Sequence, residues 1–132
     1  MERSAGEPEY RQAFETMAHQ SVEALMANGL PPNFEHRELI LRLAVKYRLP
    51  SITWWTDIAE SGQVFLAYAP DYPYYFRIWA DEVGQALNGV APADIPIQQA
   101  TKLMLTINLK TANALGIDVP ATLILRADKV IE

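Results

Sequence analysis

The sequence predicts an α/β fold built on a mostly parallel sheet flanked by helices, and three observations carry that prediction. Short β-branched and aromatic runs alternate with stretches whose apolar residues recur at helical spacing. Most of those runs are separated by a whole helix rather than by a two-residue turn, as right-handed parallel crossovers require. Near the C-terminus, Leu103 to Ile107 is apolar apart from Thr106 and runs straight into a short helix that Asn108 caps and Gly116 closes.

Composition sets the outer bounds. A chain of 132 residues is one domain, able to bury roughly two thirds of its unfolded surface. It has no cysteine, so disulfides, thiolate zinc sites and thiol nucleophiles are excluded together. A net charge of −5 and a pI near 5.0 argue against nucleic acid or an anionic membrane as the main partner, because both are bound chiefly through Lys and Arg clusters. Nowhere do about eighteen apolar residues follow one another, so a membrane-spanning segment is not expected. The start, Met1 to Glu7, has neither the basic residues nor the apolar run of a secretory signal. Residues 1–8 are expected to be linker or disordered, with the folded unit over 9–132.

Along the chain, Tyr10, Ala13, Phe14, Met17 and Ala18 make one face of an amphipathic helix from Glu9 to about His19. A strand near Val22 to Ala27 ends at Asn28-Gly29. After Pro31-Pro32, Asn33 is the expected N-cap of a helix with Leu39, Ile40, Leu43, Ala44 and Tyr47 in one stripe. Its charges, of mixed sign, read as a solvated surface. Strands follow at Ile52 to Trp55 and at Val64 to Tyr68, with a single turn from Thr56 or Asp57 to Ser61-Gly62 between them. Asp71 should cap a helix running to Asn88-Gly89, with Tyr72, Tyr75, Phe76, Trp79, Val83 and Leu87 as its core-facing stripe. Tyr74 and Ile78 extend the apolar surface around its first two turns, which suggests a second contact and self-association into a homodimer through Asp71 to Leu87.

Catalytic and metal signatures are thin. His19 and His36 lack the spacing of a zinc site and read as surface histidines. No G-x-S-x-G, Walker A or G-x-G-x-x-G stretch occurs, so neither an enzyme nor a cofactor is expected. A receiver domain matches in size and acidity, yet it needs acidic strand ends, and Asn28, Thr56 and Ala69 stand there instead. On an open parallel sheet, ligands lie outside the carboxyl ends of the strands. The candidate ligand-binding residues are therefore Asn28 and Gly29, the pair Trp54 and Trp55, Tyr68, and Asp71 at the following helix start. A Trp pair at a strand end divides between core and rim, so either indole could be the stacking platform.

Several stretches carry a family likeness: Ala93-Asp94-Ile95-Pro96, Ile107 to Ala112, Ala114-Leu115-Gly116, Pro120, and Arg126 to Ile131. With them the chain resembles the C-terminal portion of ABC-importer substrate-binding proteins of the tryptophan/tyrosine type. The resemblance implies a Rossmann-like single lobe of a type I periplasmic binding protein that holds a small amphipathic or amino-acid-like solute and delivers it to an ABC permease. It implies a cleft-facing loop at Asn28-Gly29, and a helix after Asp71 that crosses to the other lobe. Where the family has a Ser-Tyr-Gly-Pro-type turn at the cleft, this chain has Ala67-Tyr68-Ala69-Pro70. Members are roughly twice this long or more, so a fragment, a truncated reading frame or an excised piece is expected. Its place is periplasmic or extracellular by that likeness, and cytoplasmic if expressed as written without a signal. The alternative is an α/β interaction domain that keeps the fold and self-associates without taking part in transport.

Overall fold

The computed structural model describes residues 6–61, 63–99 and 101–132. Two compact units emerge, one of Met1–Ala69 with Leu105–Glu132 and one of Pro70–Met104. The first holds the paired strands. They are β1 (Leu25–Ala27), β2 (Ser51–Thr53), β3 (Leu66–Pro70), β4 (Leu103–Asn108) and β5 (Lys129–Ile131), in the spatial order β1-β2-β3-β4-β5. Pairing is parallel between β1 and β2, between β2 and β3, and between β4 and β5, which is the mostly parallel α/β sheet that the sequence predicts.

Helix α1 (Glu7–His19) starts two residues before the expected Glu9, because the Gly6 amide donates to Glu9 Oε2 at 3.1 Å and closes the first turn. Its far end is closed by Ser21 in a left-handed conformation (φ 54°) and by the Val22 amide bonded to Met17 O at 3.1 Å. That bond keeps Val22 out of the strand, so β1 begins only at Leu25. The expected helix from Asn33 splits into α2 (Pro31–Glu35) and α3 (Arg37–Lys46). Pro31 opens α2 at a position where a missing amide costs nothing, so Asn33 falls inside the helix and is not its N-cap.

The core of the first unit gathers Phe14 of α1, Leu39, Ile40, Leu41, Leu43 and Ala44 of α3, and Trp55, Ala59 and Val64 from the segment between β2 and β3. The expected single turn is a 3-10 turn at Ala59–Ser61, while Gly62 lies outside the described residues. At the C-terminal end, α5 (Leu109–Leu115) follows β4 without a loop. Asn108 Oδ1 accepts from Thr111 N at 3.0 Å, and Gly116 ends the helix at φ 75°, a left-handed position that suits glycine. A last short helix, α6 (Ala121–Ile124), leads to β5, which the sequence reading did not contain.

In the second unit, α4 (Tyr72–Leu87) is capped as expected, with Asp71 Oδ1 accepting from Tyr74 N at 3.1 Å. Its burial differs from the expectation. Of the six stripe residues only Tyr75 is buried, its hydroxyl accepting from Lys102 N at 2.6 Å. Tyr72, Phe76, Trp79, Val83 and Leu87 are exposed, Phe76 at 59% and Leu87 at 83%. Ile78 and Tyr74, read as surplus, instead line a groove of about 730 Å³ with Ile95 and Pro96. A helical apolar period shows that a face is greasy but not what covers it.

Candidate functional site

The strand register assembles the site. Ala27 of β1 is aligned with Thr53 of β2, and Thr53 with Ala67 of β3. All three are buried, at 4% exposure or less, so the next residue on each chain turns to the opposite side of the pleat. Those next residues are Asn28, Trp54 and Tyr68. Three neighbouring strands therefore deliver an amide, an indole and a phenol in one row, about 10 Å from first to last strand. Trp54 is 51% exposed and Tyr68 45%.

The Trp pair separates cleanly. β2 ends at Thr53, whose Oγ1 accepts from the Trp55 amide at 3.3 Å, and this turn sends the two side chains apart. Trp55 is 3% exposed and belongs to the core, so of the two it is Trp54 that is presented to solvent. Gly29 lies beside it: a Cβ there would sit 3.6 Å from Trp54 Cε3. That is an ordinary contact, so glycine at this position leaves the indole uncovered rather than avoiding a clash.

Asn28 is held from behind. Its Oδ1 accepts from the Leu30 amide at 3.2 Å and from Asn33 Nδ2 at 2.8 Å, and Asn33 Oδ1 accepts from the Tyr10 hydroxyl at 2.8 Å. Asn33 and Tyr10 were not among the sequence candidates. The readable clue was the Pro-Pro pair, which moves the helix start ahead of Asn33 and frees its side chain. Leu30 and Phe34 add exposed apolar surface, the Phe34 ring covered on one side by the Arg37 guanidinium at 4.4 Å.

Asp71 lies in the second unit and is committed there. Lys102 Nζ is 2.7 Å from its Oδ2 and the Tyr74 amide bonds its Oδ1. The Lys102 hydrogen bond, followed by the Tyr74 amide, holds the Asp71 carboxyl below the usual carboxylate range. The same bond pushes the Lys102 ammonium up. With both oxygens engaged, Asp71 serves as a helix cap and an ion-pair partner.

Among the described residues no group of three His, Cys, Asp or Glu side chains is placed to hold a metal, and no helix is long and apolar enough to cross a membrane. What the row can do is stack a flat ring against Trp54 and offer hydrogen bonds from Asn28 and Tyr68.

Residues 11–131 match the family described as ABC transporter substrate binding protein. No curated protein matches the chain. Among solved structures it is similar to a conserved domain protein from Vibrio cholerae, with 23% identity and a TM-score of 0.81, over 94% of this chain and 41% of that one. A Streptococcus pneumoniae ABC domain in complex with L-Trp gives 21% identity and a TM-score of 0.81, over 96% and 43%. A ligand-free, open substrate-binding protein with adhesive properties from Clostridium difficile gives 14% identity and a TM-score of 0.67, over 97% and 42%. At these identities the likeness establishes the fold, and the chain spans well under half the length of each of these proteins.

Proposed function

The chain belongs to the family of ABC transporter substrate-binding proteins, and from that premise we propose that it forms one lobe of a solute-binding site whose ligand is small, amphipathic and amino-acid-like. The observation that carries the proposal is that Asn28 and Trp54, just past the ends of β1 and β2, and Tyr68, midway along β3, continue the aligned Ala27, Thr53 and Ala67 by one residue each. Trp54 supplies the apolar platform, Gly29 keeps it clear, and Asn28 and Tyr68 orient the polar end of the solute. The L-Trp held by the pneumococcal domain is of this chemical kind and is the natural first probe. The working protein closes a second lobe over this face, acts outside the cytoplasmic membrane and passes its solute to an ABC permease.

One lobe forgoes the desolvation that closure gives, so L-tryptophan should bind this chain with a Kd in the millimolar range, about −4 kcal/mol. Titration followed by amide NMR should move Asn28, Gly29 and Tyr68, and Trp54→Ala should weaken binding at least about tenfold, a loss of about 1.4 kcal/mol. Shifts confined to other residues, or a Trp54→Ala variant that binds as well as the parent, would sink the proposal.

A second reading is favoured by the exposed stripe of α4. Phe76, Trp79, Val83 and Leu87 are each close to half exposed or more, and a second copy of the chain can cover them. Sedimentation at tens of micromolar should then show a dimer that Phe76→Glu dissociates with the fold retained. A single monomeric species in both proteins would end this reading.

A further inference from the structure

The structure assigns Tyr10 and Asn33 as positioning residues that fix Asn28 as a hydrogen-bond donor, so the ligand group that meets Asn28 is an acceptor, a carboxylate or carbonyl oxygen. This deepens the reading above and rests on it. An asparagine amide is ambiguous taken alone, since its oxygen accepts and its nitrogen donates. Here the ambiguity is removed by backbone. The Leu30 N–H can only donate, so the Asn28 atom it meets is the oxygen. The Asn33 atom that meets that same oxygen, at 2.8 Å, must then be its NH2, which turns the Asn33 oxygen towards Tyr10. The Tyr10 hydroxyl completes the chain by donating to it at 2.8 Å.

Each step leaves one choice, and the sum is that both lone pairs of Asn28 Oδ1 are filled. Among the described residues no acceptor takes Asn28 Nδ2, and Asn28 is exposed at the end of β1. Its NH2 is what remains for a ligand. Tyr10 is suited to the far end of the relay, because it is half-buried against the His36 ring at 5.1 Å. Burial, followed by the Glu35 carboxylate, also pushes its phenol up, so the hydroxyl keeps its proton across the physiological range.

Two probes share the indole ring and differ in the polar end: indolepropionate, an acceptor anion, and tryptamine, a donor cation. The parent chain should prefer indolepropionate. Asn28→Asp keeps an oxygen for Leu30 and Asn33 and replaces the NH2 with a second oxygen, so the preference should reverse. Gln12→Glu adds the same charge on the exposed face of α1 and should leave the order alone. Tyr10→Phe cuts the relay without changing charge, and should weaken indolepropionate about three- to tenfold while leaving tryptamine as it was. Equal losses for both probes in Tyr10→Phe, or an unreversed order in Asn28→Asp, would overturn the assignment while leaving the binding face standing. If the parent binds neither probe while its Leu30 amide and Asn33 side-chain resonances move in Tyr10→Phe, the relay exists but the binding face fails, and the assignment falls with it.

Discussion

Trp55→Ala is expected to destabilise the fold by about 4 kcal/mol, whereas Trp54→Ala, one residue earlier, should change stability by less than about 0.5 kcal/mol. Trp55 is 3% exposed and shares its cluster with Leu39, Ile40, Leu41, Ala59 and Val64. Removing it strips the transfer free energy of the largest side chain in that cluster and leaves a void that its neighbours fill only partly. Against a total stability of about 5–15 kcal/mol, such a loss leaves a domain of this size marginal. Trp54 is half exposed, and its absence opens no cavity. Trp55→Phe refines the test. The Trp55 indole N–H is buried without a partner among the described residues, so the Phe variant trades lost volume against removal of an unpaired donor and should cost about 1 kcal/mol. Urea unfolding followed by circular dichroism would read all three, and equal midpoints for the Trp54 and Trp55 alanine variants would show that the two roles are assigned wrongly.

That contrast marks where the sequence stops being legible. Runs such as Ile52 to Trp55 and Leu103 to Ile107, spaced by helices, suffice for a parallel α/β sheet, because β-branching and crossover length are local properties. Which indole turns inward is not local. It depends on Thr53 pairing with Ala27 and Ala67, a register set by two other strands. β5 escaped for the same reason: Lys129 to Ile131 is too short to stand out and becomes a strand only by lying beside Thr106 to Asn108. The α4 stripe failed differently. Its period was read correctly, but burial is a statement about a partner, and no described residue buries Phe76, Trp79 or Val83. Of the candidate residues, Asn28, Gly29 and Trp54 follow the ends of β1 and β2 as expected, whereas Tyr68, expected to end its strand, lies inside β3 because that strand is shifted to Leu66–Pro70. Asp71 was readable only as a cap, and the relay through Asn33 and Tyr10 needed the fold, since it joins residues 23 apart.

Asn108 should be the most sensitive polar residue in the sheet, with Asn108→Ala costing about 3 kcal/mol. Its side chain, 1% exposed, does two things at once: Oδ1 caps α5 through the Thr111 amide at 3.0 Å, and Nδ2 donates to Ala59 O at 3.0 Å, tying β4 to the turn before β3. Alanine loses the cap, about 1 kcal/mol, and strands a carbonyl away from water, about 1–3 kcal/mol more. Asn108→Asp separates the two roles. A carboxylate still accepts from Thr111 and gains from the positive end of the helix, yet it cannot donate to Ala59 O and carries a charge into a dry site. Protonating that carboxyl restores a donor and removes the charge, so burial raises its pKa in the folded chain above the unfolded value. The folded state then binds the proton more tightly, and stability lost at neutral pH should return as the pH falls through the raised folded-state pKa towards the unfolded one. Stability against pH, compared with the parent chain as it acidifies, gives the readout: a gap between variant and parent that narrows on the acid side supports the double role, and a gap that widens there would sink it.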